Sequence, residues 1–447
     1  MLSLIRKAIL LNAMPVFTRR RLQKMLDDMR PLLHTAKRND ILGRLSDSRP
    51  EQALGAEMEL GLLWAIKQVA DVEIEPLLPH SSSKPEALST GLFEKLSYIE
   101  IATLSDGRLS GEEVMHRAAH KIVAYANSIK KRGGANLYFT FNETSSWENN
   151  VYTRKHRVTP GFELDQPLKD QIFAWLKNSS DSEKIPLRLQ NEHIDVLIEV
   201  RSHPQKQGFN FFSSLPPLAH DIEDNPLFSR LKDKADQLSG VPKDALKVIF
   251  VADGGSRLLR RLDRRDPMKL YKSGTEIIRH FLNKSSVHAV CVFSPARQSF
   301  FPSSSATLHW QVWLFCQENC IVDEDKIERV AEKLPSPRFE GYQARSLHKQ
   351  GLFNPSEAGW YLGSEIATGG IPETMKISSR LLHEYLAGKI SPEQFERFAF
   401  AQGNEFRLWL ERGYTLRNAR FESAGIDEDD DYVIFEFVPD PAASPLK

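Results

Sequence analysis

The sequence contains few of the residues and segments that define several large classes of protein. Cysteine occurs three times in 447 residues, at Cys291, Cys316 and Cys320, which argues against a disulfide framework and predicts a reducing, cytoplasmic location. No stretch approaches the roughly 18 uncharged apolar residues of a membrane-spanning helix, so we expect no membrane span. Lys and Arg together number 59, as do Asp and Glu. This zero net charge excludes a general attraction to nucleic acid, and any such contact would need a local basic patch.

The sequence does contain enough apolar residues, 41% of the chain, to form sizeable cores. A chain of this length is expected to fold as more than one domain. Changes in pattern predict an N-terminal helical segment over residues 1–50, a core over 51–145, a second α/β region over 146–320 that could extend the core, and a mainly helical region over 321–447. The predicted fold class is α/β, with a mixed central sheet flanked by helices.

Residues 51–145 combine helical and strand patterns within one stretch of chain. The predicted elements are, in order, a helix over about 51–70, strands at Asp71 to Leu78, Ala87 to Thr90 and Leu96 to Thr103, a helix over Ser110 to Lys131, and a strand over Asn136 to Phe141. This alternation favours a mixed sheet covered by helices.

Acidic side chains recur at three points of this region. Glu57 and Glu59 lie in the first helix, Pro85-Glu86 enters the second strand, and Glu100 lies in the third. The order resembles the core of the PD-(D/E)XK nuclease superfamily, the restriction-endonuclease-like fold. There a helical acid precedes Pro-Asp on one strand and Asp/Glu-x-Lys on the next, and a helix and a further strand complete the core. The resemblance covers about residues 50–145, with the helix from Ser110 and the strand after it as the completing elements.

The resemblance implies a metal-dependent nuclease that acts on phosphodiester bonds of nucleic acid. Glu59, or Glu57 in its place, together with Glu86 and Glu100 would bind Mg²⁺ or Mn²⁺, since Mg²⁺ prefers hard oxygen ligands. Glu86 and Glu100 would be the catalytic carboxylates, and the metal would stabilise charge on a phosphoryl oxygen and activate a water.

One position departs from the family pattern, because Ala102 stands where the family has lysine. Alternate residues of a strand point to the same face, so a lysine at this position would lie beside Glu100. Lys84, directly before Pro85, and Lys121, on the next predicted helix, are the candidates for supplying the ammonium from elsewhere. The departure leaves open whether the chain is an enzyme, a Mg²⁺-dependent endonuclease, at all.

The densest basic segment is a candidate for contact with a nucleic-acid backbone. It contains Arg257, Arg260, Arg261, Arg264 and Arg265, at spacings that suit one helix face. Asp263 and Asp266 interrupt it, so an ordinary solvated helix face is the alternative interpretation.

The residues therefore leave two functions open. The first is a metal-dependent nuclease with the carboxylate site described above. The second is a nuclease-derived scaffold that no longer cleaves and instead binds nucleic acid or a protein partner, as a subunit of a larger assembly. The retained carboxylates favour the first, and Ala102 favours the second.

Overall fold

The computed structural model describes most of the chain. The described residues are 16–47, 49–78, 84–107, 109, 111–130, 133–134, 137–148, 151–177, 185–200, 210–212, 219–264, 270–299, 306–318, 320, 324–345, 361–367, 373–400, 404–440 and 442. The described residues of Met25–Asn354, with Val16, form one compact unit, and those of Phe17–Lys24 and Pro355–Lys447 form another.

The elements are numbered in chain order. The strands are β1 (Asp71–Ile74), β2 (Ala87–Thr90), β3 (Ser97–Leu104), β4 (Leu137–Phe141), β5 (Glu143–Glu148), β6 (Val151–His156), β7 (Leu187–Gln190), β8 (Asp195–Val200), β9 (Asn210–Phe212), β10 (Leu246–Asp253), β11 (Ala289–Ser299), β12 (Ala306–Cys316), β13 (Glu365–Ala367), β14 (Glu373–Ser378), β15 (Tyr414–Glu422) and β16 (Tyr432–Pro439). The helices are α1 (Arg19–Met29), α2 (Thr35–Leu45), α3 (Pro50–Val69), α4 (Glu112–Ile129), α5 (Gln166–Lys177), α6 (Pro226–Gln237), α7 (Arg257–Arg260), α8 (Gly274–Lys284), α9 (Glu324–Lys333), α10 (Ser379–Leu386), α11 (Pro392–Ala399) and α12 (Glu405–Glu411).

The first unit is built around a mixed sheet in the order β1-β2-β3-β10-β11-β12, which confirms the predicted fold class. β1, β2 and β3 form an antiparallel meander, β3 and β11 are both parallel to β10, and β12 is antiparallel to β11. Tyr98, Ile249 and Val290 share one core with apolar residues of α6 and α8. Alternate residues such as Ile99 and Phe250 are also buried, so helices and loops must cover both faces.

Helix α3 packs against β1 and β3, and its residues explain why it is buried. It begins with Pro50 at a first-turn position, where a missing N–H costs nothing, and apolar residues are spread over most of its surface. A helix that is apolar on all sides is a core helix. Two glutamates, Glu57 and Glu59, lie among these apolar residues and must therefore be compensated within the protein.

A second sheet in the same unit has the order β7-β8-β4-β9. Helices α4 and α5 cover one face and share a core with it that includes Phe139, Ile172 and Val196. The strand ending at Phe141 was predicted to lie in the same sheet as Glu100, and this prediction was wrong. β4 pairs with β8 and β9, whereas β3 is joined by β10, which comes much later in the chain. No pattern in the sequence indicated that β3 and its neighbour β10 have residues 105–225 between them along the chain.

The second unit contains an antiparallel sheet in the order β13-β14-β16-β15, with α10, α11 and α12. Its core includes Trp409, Phe437 and Ile377. The structure thus adds a four-stranded sheet to the region over 321–447 that the sequence predicted to be mainly helical. Among the helices of the described residues, none has both the length and the apolar composition required to cross a membrane.

Candidate functional site

Three carboxylates lie side by side at the first three strands, where one directly follows β1, one directly precedes β2 and one lies in β3. Ala87 of β2 pairs with Ile74 of β1 and with Ile99 of β3. One residue further along, this register places Glu86 between Glu75 and Glu100, and the Glu75 amide donates to the Glu86 carbonyl oxygen at 3.1 Å. Directly opposed residues of antiparallel strands share a face, and like charges there destabilise the sheet. The row of acids therefore requires cations. Glu75 was not among the residues that the sequence analysis selected.

Lys37 of α2 supplies the first of these cations. Its side chain is 5% exposed, and its Nζ lies 2.8 Å from Glu59 Oε1, 3.2 Å from Glu75 Oε1, and in contact with Glu86 Oε2. Burial alone would lower the pKa of Lys37, but Glu59 and Glu86 outweigh it and raise the pKa above its usual value. Lys37 is therefore a fixed positive charge that joins a helix to two strands.

The helical acid of the cluster is Glu59 rather than Glu57. Arg44 of α2 lies 2.8 Å from Glu59 Oε2, so this carboxylate is held by two cations. Glu57 instead accepts a hydrogen bond from the backbone N–H of Val16 at 3.1 Å. The sequence analysis named both residues, and the tertiary contacts separate their roles.

Lys234 of α6 supplies the second cation, although the sequence predicted Lys84 or Lys121 for this role. Its Nζ lies 2.7 Å from Glu100 Oε2 and 3.9 Å from Glu86 Oε1. Glu100 is 1% exposed, and its other oxygen, Oε1, has no hydrogen-bond partner among the described residues. The ammonium beside Glu100 thus comes from a helix that is distant in sequence.

Burial dominates the electrostatics of the strand carboxylates. It raises the pKa of Glu100 to about 7, although the Lys234 ammonium opposes the shift. Burial and the neighbouring Glu59 raise the pKa of Glu86 against the opposing charges of Lys37 and Lys234. At the edge of the row, His34 and Lys37 outweigh burial and lower the pKa of Glu75. With a pKa of about 7, Glu100 changes its charge near neutral pH.

The two lysines proposed from sequence lie elsewhere. Lys84 is exposed directly before Pro85 and makes no ion pair with the described residues. Lys121 is on α4, where it donates to the Phe162 carbonyl oxygen at 2.8 Å and to Glu163 at 2.6 Å. Lys37 and Lys234 hold the positions at the carboxylates that these residues were expected to fill.

The basic segment divides into paired and unpaired arginines. Arg260 forms an ion pair with Glu340 at 3.0 Å. Arg257, Arg261 and Arg264 instead line a cleft together with Lys272. Arg265 lies outside the described residues.

A metal ion at these carboxylates would have only a small number of protein ligands. Across the described ranges, no group of three or more His, Cys, Asp and Glu side chains is arranged to hold one. Mg²⁺, however, is commonly bound through one or two carboxylates and keeps several waters. Glu86 and Glu100, which share Lys234, and the unpaired Oε1 of Glu100 fit such a two-carboxylate site.

The comparisons with known proteins add no relative. No protein-family model matches the chain, and searches of curated proteins and of solved structures found no match either.

Proposed function

We propose that the chain is a metal-dependent hydrolase of phosphodiester bonds in nucleic acid, with its site at Glu86, Glu100 and Lys234. The contact between Lys234 and Glu100, at 2.7 Å, is the observation that carries the proposal. It places an ammonium beside the strand carboxylate at which the resemblance implies one, although Ala102 has replaced the expected lysine.

The topology supports the same proposal. The resemblance implies a helix, three strands, a second helix and a further strand. The elements α3, β1, β2, β3, α6 and β10 follow this order, with β10 parallel to β3. In this interpretation residues 105–225, which include the second sheet, are an insertion, and α6 is the completing helix. Lys234 is on that helix.

The side chains of the site have distinct roles in the proposed reaction. Glu86 and Glu100 would hold Mg²⁺ or Mn²⁺, which supplies charge stabilisation at a phosphoryl oxygen and a more acidic bound water. Lys234 orients Glu100 and places positive charge where a phosphate would approach. Lys37 and Arg44 fix Glu59 and Glu86 in place, and the burial of Lys37 and Glu59 keeps water from weakening these contacts.

One observation favours the non-cleaving scaffold as the second candidate. Lys37, at 5% exposure, contacts Glu59, Glu75 and Glu86, so the cluster is largely neutralised without a metal. In the scaffold interpretation, the role of this network is to specify how α2 and α3 pack on the sheet. The protein would then act through a surface that binds nucleic acid or a protein partner.

Cleavage assays separate the two candidates. Labelled single- and double-stranded DNA and RNA would be incubated with Mn²⁺ or Mg²⁺ and the wild type, Glu86→Gln, Glu100→Gln or Lys234→Met. Glu94→Gln, at an exposed position next to the site strands, is the matched control. The hydrolase proposal expects cleavage by the wild type and the control, and a loss of about 100-fold or more in the other three.

Mn²⁺ binding by the same proteins provides the contradicting outcome. A wild type that neither cleaves any substrate nor binds Mn²⁺ more tightly than Glu100→Gln would refute the hydrolase and leave the scaffold. Cleavage that survives in Glu100→Gln would locate the activity at a different site.

A further inference from the structure

We propose that an aromatic hairpin and the basic cleft beside it form one binding surface for single-stranded nucleic acid. The surface consists of Trp147 and Tyr152 on β5 and β6, His220, and the cleft lined by Arg257, Arg261, Arg264, Tyr271 and Lys272. This inference rests on the proposed function, because it names the substrate class of the same protein.

The hairpin presents an aromatic side chain to solvent. β5 and β6 pair with each other, and Trp147 lies directly opposite Tyr152 with ring centroids 5.4 Å apart. Trp147 is 63% exposed. One exposed aromatic residue is ordinary in a soluble protein, so the ring alone carries no argument. The inference depends on the contacts that connect Trp147 to the basic cleft.

The base of the hairpin is fixed to the second sheet. The Arg157 amide donates to the Asn142 carbonyl oxygen at 2.8 Å, and the Asp195 amide donates to the Arg157 carbonyl oxygen at 2.7 Å. Glu143 on β5 forms an ion pair with Arg154 on β6 at 3.2 Å. An isolated two-stranded hairpin is marginally stable in water, so these contacts are needed to hold Trp147 in position.

Aromatic contacts continue from the hairpin to the segment that borders the cleft. The ring of Tyr152 meets the imidazole of His220 edge-on, with centroids 5.2 Å apart. His220 Nδ1 donates to the Leu270 carbonyl oxygen at 2.8 Å, and the Lys272 amide donates to the Ala219 carbonyl oxygen at 2.7 Å. Ala219, Tyr271 and Lys272 are all in the wall of the cleft. Trp147 and the cleft therefore belong to one continuous row of contacts.

The cleft is lined by a cluster of positively charged side chains. In the described ranges, no ion pair joins Arg257, Arg261 or Arg264 to a carboxylate, and Asp263 accepts a hydrogen bond from Thr275 instead. Burial, and then the charges of Arg264 and Arg261, lower the pKa of Arg257. The guanidinium of Arg264 lies over the Tyr271 ring, 5.8 Å from its centroid. Clustered arginines without acidic partners suit a ligand with several negative charges.

The combination of these features selects the class of ligand. Exposed rings beside a positive groove bind unpaired bases by stacking while cations contact the phosphates. Bases in a duplex are already stacked on each other and cannot use Trp147 in this way. The chain as a whole has no net charge, so a local surface of this kind is what binding would require.

The surface is also connected to the strand that carries the candidate site. The backbone N–H of Arg257 donates to Asp106 at 2.8 Å, and Asp106 follows the end of β3, on which Glu100 lies. Single-stranded nucleic acid bound across this surface would thus lie at the end of β3, the β-strand that contributes Glu100.

Binding is tested without metal, so that it can succeed or fail independently of cleavage. Fluorescence anisotropy would be measured for labelled oligo(dT), oligo(rU) and a duplex of equal length, in buffer with chelator, using the full chain carrying Glu100→Gln. The expected result is tighter binding of the single strands than of the duplex. The oligo(dT) and oligo(rU) arms show whether DNA or RNA is preferred.

Variants assign the binding to the proposed surface. Trp147→Ala should weaken single-strand binding about tenfold, since stacking contributes about 1–3 kcal/mol per base. Arg257→Ala and Arg264→Ala should each lower the salt dependence of binding by about one phosphate contact. Phe173→Ala, an exposed aromatic on α5, and Arg329→Ala, an exposed arginine on α9, are the matched controls.

The outcomes that overturn the inference are specific. They are equal affinity for duplex and single strand, no binding of any of the three ligands, or losses in the two control variants as large as those at Trp147 and Arg257. None of these results changes the cleavage assay, in which the proposed function stands or falls by Glu86, Glu100 and Lys234.

Discussion

Replacing Lys234 with methionine should destabilise the protein in a manner that depends on pH. The change removes the ammonium that lies 2.7 Å from Glu100 Oε2 but keeps the length of the side chain. Glu100, at 1% exposure, would then be a buried acid without its counter-charge. Removing one partner of a buried ion pair typically costs about 3–5 kcal/mol, because the remaining charge is left uncompensated.

The direction of the pH dependence follows from the raised pKa of Glu100. In the folded wild type this pKa is about 7, whereas an unperturbed glutamate titrates near 4.3. Unfolding between these values releases a proton, so the contribution of Glu100 to stability falls as pH rises from the lower value through the higher one. Without Lys234 the folded pKa would rise further, and the fall in stability would continue to higher pH.

Urea unfolding of the wild type and Lys234→Met at two pH values measures this effect. At about pH 8.5 we expect the variant to be less stable by about 3 kcal/mol or more. At about pH 5 Glu100 is protonated in both folded proteins, so the variant loses a hydrogen bond and about 1 kcal/mol. Adding Glu100→Gln to Lys234→Met should recover most of the loss at the higher pH.

Lys232→Met is the matched control, because Lys232 is an exposed lysine on the same helix. A Lys234→Met variant that loses the same stability at both pH values would refute the electrostatic argument. So would a double variant that is no more stable at the higher pH than Lys234→Met alone.

Three further predictions concern the same cluster. Mn²⁺ binding should weaken about tenfold for each pH unit below about 7, because the metal must displace the proton of Glu100, and the affinity should level off above pH 7. Calorimetry that finds a constant Mn²⁺ affinity across this range would contradict the assignment of Glu100 as a metal ligand. Lys37→Met should lower the free energy of unfolding by about 3–5 kcal/mol, since it removes the cation shared by Glu59, Glu75 and Glu86. The control Lys67→Met, at an exposed position of α3, should change the free energy of unfolding by less than about 0.5 kcal/mol. Ala102→Lys should restore part of the cleavage lost in Lys234→Met if the two positions serve the same carboxylate. Because Ala102 is 3% exposed, a larger side chain there can disturb the core, so a thermal melt would establish that this double variant is folded. A folded double variant with no recovery would show that the two positions are not equivalent.

Much of the candidate site could be predicted from the sequence because its carboxylates lie within short, regular elements. Strand alternation and the long apolar helix placed Glu59, Glu86 and Glu100 on α3, at the start of β2 and on β3, and the structure brings all three into one cluster. Glu75 could have been recognised as well, since it lies within the strand predicted over Asp71 to Leu78, which pairs with β2. It was missed because the register of β1 on β2 is not visible in the sequence.

The cations of the site could not be predicted in the same way. Lys234 has no pattern that separates it from the neighbouring Lys232, and the two positions differ only in how α6 is placed on β3. Lys121 was chosen because the helix that follows β3 in sequence was expected to follow it in space, but residues 105–225 lie between β3 and α6. A long stretch of chain between two elements leaves their local sequence patterns unchanged and changes only which elements become neighbours.

The sequence by itself thus determined much of the local structure of residues 51–145: which segments form strands and helices, and which of them carry acids among apolar residues. The tertiary structure alone decided the chemistry of the site. Glu100 and Lys234 are separated by 134 positions and meet only because β10 lies parallel to β3 and brings α6 with it. Local propensity depends on residues a few positions apart, whereas the charge and pKa of a buried carboxylate depend on whatever side chain the fold places within a few ångströms.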